Sequence, residues 1–386
     1  MNINYKSYQD EIVALRRHFH MYPETAFNEI KTTEFIKNYL EKTGYSVENV
    51  KPTGCTALLL KNEKLPTVIL RAEMDAVPVT EDTGLEFSSK NKGAMHACGH
   101  DANMAVALVL SKIIFNTKEE LNCNVRFVFE PAEEVGGGAE IMVKAGVLER
   151  PKADAFIMFH FVNAVSEGVE VNENIATAAI GRADITVKGK AGHWADTHMT
   201  KDALMASAKL LLETEKINNE FKSPYPFKIG FGKLESGKSA NIVPGEAHLS
   251  GNIRACTMED YYRIEELLKK TFKKIENETG VVIEDEISST PITPIINDPK
   301  MVAEAQKVGK EVFGDKFMIT TKLFLAGDNA CLYFKYVPGI FMVFRSKNPN
   351  GAALHNPHMT LAEEYFYKAV EMLHKYILNF NSTKGR

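Results

Sequence analysis

One short stretch, Met95-His96-Ala97-Cys98-Gly99-His100-Asp101, constrains what this chain can fold into more than any other. It sets a thiol and an imidazole two residues apart, beside a carboxylate and a glycine. A thiolate and a neutral imidazole are preferred ligands of zinc and similar divalent ions. Two such groups make half a site, so the fold has to bring the others from distant segments. An open α/β sheet does this, because ligands collect past the carboxyl ends of its strands.

The order of predicted elements fits such a sheet. Apolar runs at 56–60, 67–72, 125–130 and 155–161 read as buried strands. Helical stripes over 101–115 and 139–148 separate the later ones, after two N-terminal helices beginning at Ser7 and near Asn28. Strands alternating with helices argue a doubly wound α/β domain. From Gly181 the order becomes strand 183–188, helix 202–216, strands 227–234 and 247–255, helix 258–278 and strand 281–287. That is β-α-β-β-α-β, the ferredoxin-like arrangement. Pro291, Pro294 and Pro299 mark a return linker, and helix 300–313, strand 340–345 and an amphipathic helix over 361–380 resume the first pattern. The expectation is a discontinuous α/β domain with a mixed sheet (1–180 and 293–386), carrying an inserted α+β domain (181–292).

Composition narrows the partners. A chain of 386 residues exceeds one ordinary core, in keeping with two domains. A net charge of −4 argues against a nucleic-acid or anionic-membrane surface. The polar N-terminus lacks the apolar core of a signal peptide, and the longest apolar run, 104–115, is too short to span a bilayer. Five scattered cysteines, an odd number, fit a reducing compartment. A cytoplasmic protein is expected, with neither nucleic-acid nor membrane partners.

What lies just past each predicted strand is not random. Glu73 and Asp75 follow the second, Glu133 and Glu134 the third; His160 ends the fourth, and His355 sits in the loop after 340–345. With Cys98 and His100, these suffice for two divalent ions about 3.5–4 Å apart, bridged by a water whose pKa falls toward roughly 7. Adjacent carboxylates suit a division of labour in which one binds metal and its neighbour takes a proton. Singly, such a cysteine is more often a small buried residue and such a histidine a satisfied core residue. Gathered at strand ends, they reverse those odds.

Several motifs resemble those of one family. Arg71-Ala72-Glu73-Met74-Asp75-Ala76-Val77-Pro78, the His-Ala-Cys-Gly-His-Asp stretch and Glu130-Pro131-Ala132-Glu133-Glu134 are similar to successive motifs of the amidohydrolase branch of the aminoacylase and carboxypeptidase-type dinuclear metallohydrolases. That branch includes hippurate hydrolases, N-acetyl-amino-acid deacetylases and auxin-conjugate hydrolases. The likeness runs from Leu15-Arg16-Arg17-His18-Phe19-His20 through Gly192-His193, Asn241-Ile242-Val243-Pro244 and Gly251-Asn252-Ile253-Arg254 to His355-Asn356-Pro357. The resemblance implies Cys98, His100, Glu134, His160 and His355 as ligands of two divalent ions (zinc, manganese, cobalt or nickel), and Glu133 as general base. It implies that the inserted domain is a lid that mediates homodimerisation, on which His193 polarises the scissile carbonyl and Asn241 and Arg254 hold the substrate. Asp75 would orient a ligand. The substrate implied is a small amide, an N-acyl amino acid. A metallo-dipeptidase or carboxypeptidase is the nearest alternative, and a catalytically silent amino-acid-binding relative a more distant one.

This chain also departs from the family pattern. Glu73 stands where Asp is usual, Asn103 where His is frequent, Glu130 where Gln is common, and Gly327-Asp328-Asn329 where Glu-Asp-Phe is usual. Trp194-Ala195-Asp196-Thr197-His198 replaces the usual Ala-Ala-x-Pro after His193. Several of these positions are expected to line the substrate pocket. The stretch Gly232-Lys233-Leu234-Glu235-Ser236-Gly237-Lys238-Ser239 matches a nucleotide-binding loop in letters only. Pro244 and Gly245 follow, which forbids the helix that loop needs.

Overall fold

In the computed structural model, which describes residues 3–348 and 350–380, the chain divides into two units. The first comprises Met1–Asn174, Ile296–Thr321 and Asp328–Arg386, and the second Ile175–Ile295 and Lys322–Gly327. Residues 175–180, 293–295 and the short segment 322–327, all expected in the first domain, thus group with the second.

The first unit is built on an eight-stranded sheet. Its strands β1 (Ser46–Asn49), β2 (Cys55–Leu59), β3 (Thr67–Glu73), β4 (Asn124–Glu130), β5 (Ala153–Ala164) and β6 (Gly168–Asn172) precede the second unit in the chain, and β13 (Phe317–Thr320) and β14 (Gly339–Lys347) follow it. The spatial order is β1-β2-β4-β3-β5-β14-β6-β13. The centre is parallel (β4, β3, β5 and β14), while β1/β2, β2/β4 and β14/β6 pair antiparallel, so the sheet is mixed. Strands β3 and β4 are buried along their whole length, as central parallel strands covered on both faces must be. The helices are α1 (Gln9–Met21), α2 (Ile30–Thr43), α3 (His100–Asn116), α4 (Gly138–Lys144), α7 (Pro299–Phe313), α8 (Cys331–Phe334) and α9 (Phe366–Leu378). Helix α3 is apolar on nearly every side, because α1, α2, α9 and the sheet all pack on it.

The second unit holds β7 (Ala179–Lys188), β8 (Gly192–His193), α5 (Ala203–Glu220), β9 (Phe227–Ser236), β10 (Ile242–Val243), β11 (Glu246–Ala255), α6 (Met258–Thr279) and β12 (Val282–Ile287). Its main sheet runs β12-β7-β11-β9, antiparallel throughout. Burial alternates along β7, and the inward residues Ile185, Val187, Leu249 and Ile253 meet Leu210, Ile264, Leu268 and Phe272 of the two helices. The rest of the unit is a two-stranded ladder of β8 and β10. Among the described residues, no helix is long and apolar enough to cross a membrane.

Candidate functional site

Gly99 has φ +95°, and a Cβ there would lie 2.9 Å from the carbonyl oxygen of Phe161. Only glycine lets the Cys98 loop approach β5 this closely before turning into α3. His100 opens that helix, and its Nδ1 lies 2.8 Å from the carbonyl oxygen of Asp75, just past β3. His160 lies within β5, which runs past the predicted end at 161 to Ala164. Its Nδ1 is 2.8 Å from the Phe161 carbonyl. A carbonyl only accepts, so both rings carry their proton on Nδ1 and present an Nε2 lone pair. The Nε2 of His160 is 3.8 Å from the Cys98 sulfur, and that of His100 is buried with no hydrogen-bond partner.

Glu133 and Glu134 sit on a 3-10 turn, Glu133–Val135, directly after β4. Asp75 holds the turn: its two carboxylate oxygens accept the backbone N–H groups of Glu133 and Glu134, each at 3.0 Å. Its side chain therefore fixes both glutamates, and it is its main-chain carbonyl that orients His100. His355, with φ +62°, comes from the loop after β14; its backbone N–H donates to the carbonyl of Ala97 at 2.9 Å. Its Nε2 is 3.3 Å from Glu134 Oε1, an ion-pair distance without the alignment of a hydrogen bond.

The side chains interlock as three sets whose donor atoms lie within 4.8 Å of one another: Cys98, His100 and His160; Cys98, Glu134 and His355; and His100, Glu133 and Glu134. All five predicted ligands and the predicted base are thus brought together. The donors suit divalent ions. Two imidazole lone pairs and a thiol face one another, and the buried Nε2 of His100 has no hydrogen-bond partner, a need that a cation would meet. Burial raises the Glu134 carboxyl, but its pairing with His355 outweighs burial and holds it at about 2. Burial and the charge of Asp328 push Glu133 well above the ordinary carboxylate range, toward what a proton acceptor working near neutrality needs. Burial pushes the Cys98 thiol up to about 12, so a cation binding there has to displace its proton.

The departures at 73, 103, 130, 328 and 329 are all buried. They form one buried network around Arg71, which is itself fully buried in β3. Arg71 reaches Glu130 through Nη2 and Nε at 2.8 and 3.2 Å, Asp328 at 3.2 Å, Asn329 Oδ1 at 2.9 Å, and Glu73. Tyr333 adds a hydroxyl to Glu130 at 2.6 Å. Asn103 donates to Glu73 at 2.8 Å and accepts the Phe161 N–H at 3.0 Å, tying the network to the residue whose carbonyl anchors His160. Sequence reasoning missed Arg71 as the hub, although a lone arginine inside an apolar strand was its signal.

The remaining predicted residues lie on the second unit. His193 of β8 stands directly opposite Ile242 of β10, next to Asn241, and both polar side chains are exposed. His193 Nδ1 accepts the N–H of Ala195 at 3.1 Å, which leaves the proton of the neutral ring on Nε2. Arg254 is half-buried near the end of β11 and donates to Asn252 Oδ1 at 2.8 Å and to the Leu325 carbonyl at 2.7 Å. Trp194 is half exposed.

Soft and hard side chains that can hold a metal, gathered at the carboxyl edge of an α/β sheet among further carboxylates, are the arrangement of metal-dependent hydrolases. The chain belongs to the peptidase family M20/M25/M40, whose sequence profile matches residues 69–379. An N-acetyl-L-cysteine deacetylase of Bacillus subtilis (strain 168) is 28% identical over 379 residues, covering 97% of this chain and 89% of the relative. An N-acyl-L-amino acid amidohydrolase of Geobacillus stearothermophilus is 34% identical over 249 residues, 63% of this chain and 66% of that one. Among solved structures, a dinuclear metal-binding peptidase of the M20 family from Bacillus subtilis superposes with a TM-score of 0.83 at 25% identity, covering 97% of this chain and 98% of its own.

Proposed function

We propose that this protein hydrolyses the amide bond of N-acyl amino acids, N-acetyl or N-aroyl, with two divalent ions held by Cys98, His100, Glu134, His160 and His355. The observation that carries this is the interlocked set of donors with Glu133 at its edge. Zinc, manganese, cobalt or nickel bound there supplies Lewis acidity to the carbonyl and acidifies a water. Glu133 takes the proton of the attacking water on a carboxylate oxygen and returns it to the departing amine nitrogen. His193 donates from Nε2 to the carbonyl oxygen as negative charge develops there. The Arg254 guanidinium suits the substrate carboxylate, and Asn241 helps to hold the substrate. We assign the second unit the role of a lid that pairs two copies of the chain in the cytoplasm; its sheet ends on β9, whose outer edge has no neighbour in that sheet.

The test compares metal content and turnover in two variants. Glu133→Gln is expected to keep the metals and lose at least a thousandfold in kcat, while Cys98→Ala weakens metal binding itself. Equal metal loss in both variants would refute the division of roles. Turnover of dipeptides in preference to N-acetyl- and N-benzoyl-amino acids would favour a metallo-dipeptidase or carboxypeptidase instead.

A further inference from the structure

Ala132, immediately before Glu133, is left-handed, with φ +52° and ψ +41°. Alanine gains nothing from that region and stays there only where its surroundings insist. Its N–H donates at 2.8 Å to Oε1 of Glu29. Glu29 lies just before α2, is fully buried, and accepts the hydroxyl of Thr53 on Oε2 at 2.7 Å. Three successive amides, 132 to 134, therefore each donate to a buried carboxylate oxygen, the first on Glu29 and the next two on Asp75. The turn is held from outside along its length. Nothing in the proposed chemistry uses Glu29, and its two neutral donors account for both of its oxygens.

We infer that Glu29 is a positioning residue. It pins Ala132 in the left-handed conformation, and so aims Glu133 at the substrate and Glu134 into the metal site. This rests on Glu133 being the base. Without the Glu29 oxygen, the peptide before Glu133 relaxes toward an ordinary conformation, and a displacement of about 1 Å at a catalytic group costs on the order of a hundredfold in rate.

The test uses the full-length, metal-loaded protein and N-acetyl amino acids. Glu29→Ala should lower kcat on the order of a hundredfold, with KM within about threefold, because the turn rather than the substrate contacts is disturbed. Glu29→Gln keeps an oxygen for Ala132 and an amide for the Thr53 hydroxyl, and should stay within about fivefold of wild type. Ala132→Gly added to Glu29→Ala should recover at least tenfold, because glycine occupies the left-handed region unaided. A chelator competition read alongside should show metal held roughly tenfold more weakly in Glu29→Ala, since Glu134 rides the same turn. Should Glu29→Ala not fold, Thr53→Val, which removes only the hydroxyl, should give a smaller fall of about five- to tenfold in kcat. The inference is overturned if folded Glu29→Ala keeps both kcat and metal affinity, if Glu29→Gln is as impaired as Glu29→Ala, if the glycine rescues nothing, or if Thr53→Val is silent. A wild type that turns over no N-acyl amino acid would sink the proposed function instead, and the metal affinities would then decide the role of Glu29 alone.

Discussion

Replacing Arg71 by methionine removes the cation at the centre of three carboxylates while filling much of the same volume. Glu73 and Glu130 are fully buried, and Asp328 is 7% exposed. Each keeps one neutral donor, from Asn103, Tyr333 and the N–H of Ala330 respectively. Each loses its guanidinium contact. Breaking a buried ion pair by deleting one partner costs about 3–5 kcal/mol. For a unit of this size that lowers Tm on the order of 10 °C. The effect has a pH signature. In the variant the fully buried Glu73 and Glu130, stripped of their cation, have folded-state pKa values above their unfolded values, so they cost stability as pH rises and cease to do so once protonated. The deficit of Arg71→Met relative to wild type should therefore shrink as pH falls from 7.5 toward 5. Urea denaturation of the metal-free proteins at several pH values measures it. A loss under about 1 kcal/mol, or one of the same size at pH 5 and 7.5, would refute the assignment of Arg71 as the charge that makes this network tolerable.

Other outcomes follow from the same geometry. Asn103→Ala leaves Glu73 Oε2 and the Phe161 N–H without their partner, and should cost about 2–4 kcal/mol in denaturation and weaken metal binding about tenfold or more, read by chelator competition, because Phe161, whose carbonyl anchors His160, is freed. A Cβ on Gly138 would lie 1.7 Å from the Pro131 carbonyl oxygen, so Gly138→Ala should displace the strand that leads into the glutamate turn, lowering both kcat and the urea midpoint. Buried His374, between the Tyr5 hydroxyl at 2.8 Å and Thr117 Oγ1 at 2.9 Å, is pulled by burial from 6.5 to about 4. Its folded value is the lower one, so the stability it supports is whole above pH 6.5 and is lost as pH falls toward 4, on the order of 3 kcal/mol in all. His374→Gln should flatten that part of the acid limb of a stability–pH curve, and an unchanged limb would exclude the assignment.

The elements that position the site were legible where the pattern had a single physical cause. Strands 67–72 and 125–130 are apolar without alternation because both of their faces are covered, and they appear as β3 and β4 with bounds shifted by a residue at most. Helix 258–278 carries a stripe and a Thr257 cap, and α6 matches it. Short edge strands escaped: β1 is polar and largely exposed, β13 has four residues, and neither has a periodicity long enough to read. The predicted helix 361–380 begins only at Phe366, because apolar Leu361 packs into the core from a loop. Within the site, the thiol, imidazoles and carboxylates that gather past the strand ends could be picked out by softness and charge, and the resemblance singled out five of them as ligands. Those that hold them could not, since Glu29, Asn103 and Arg71 act through backbone amides and one another, and no spacing in the sequence marks a partner fifty or a hundred residues away.

In the eight-stranded sheet, β5 and β14 lie side by side, with Phe156 paired to Gly339 and His160 to Val343, although the whole second unit intervenes in the chain. During synthesis, then, Cys98, His100, Glu134 and His160 are all available long before the ribosome has made the strand that completes their surroundings and the loop that brings His355. The donor set is complete only once the segment from Gly339 onward has been made, so a cation that needs His355 would be fully held only at the end of synthesis.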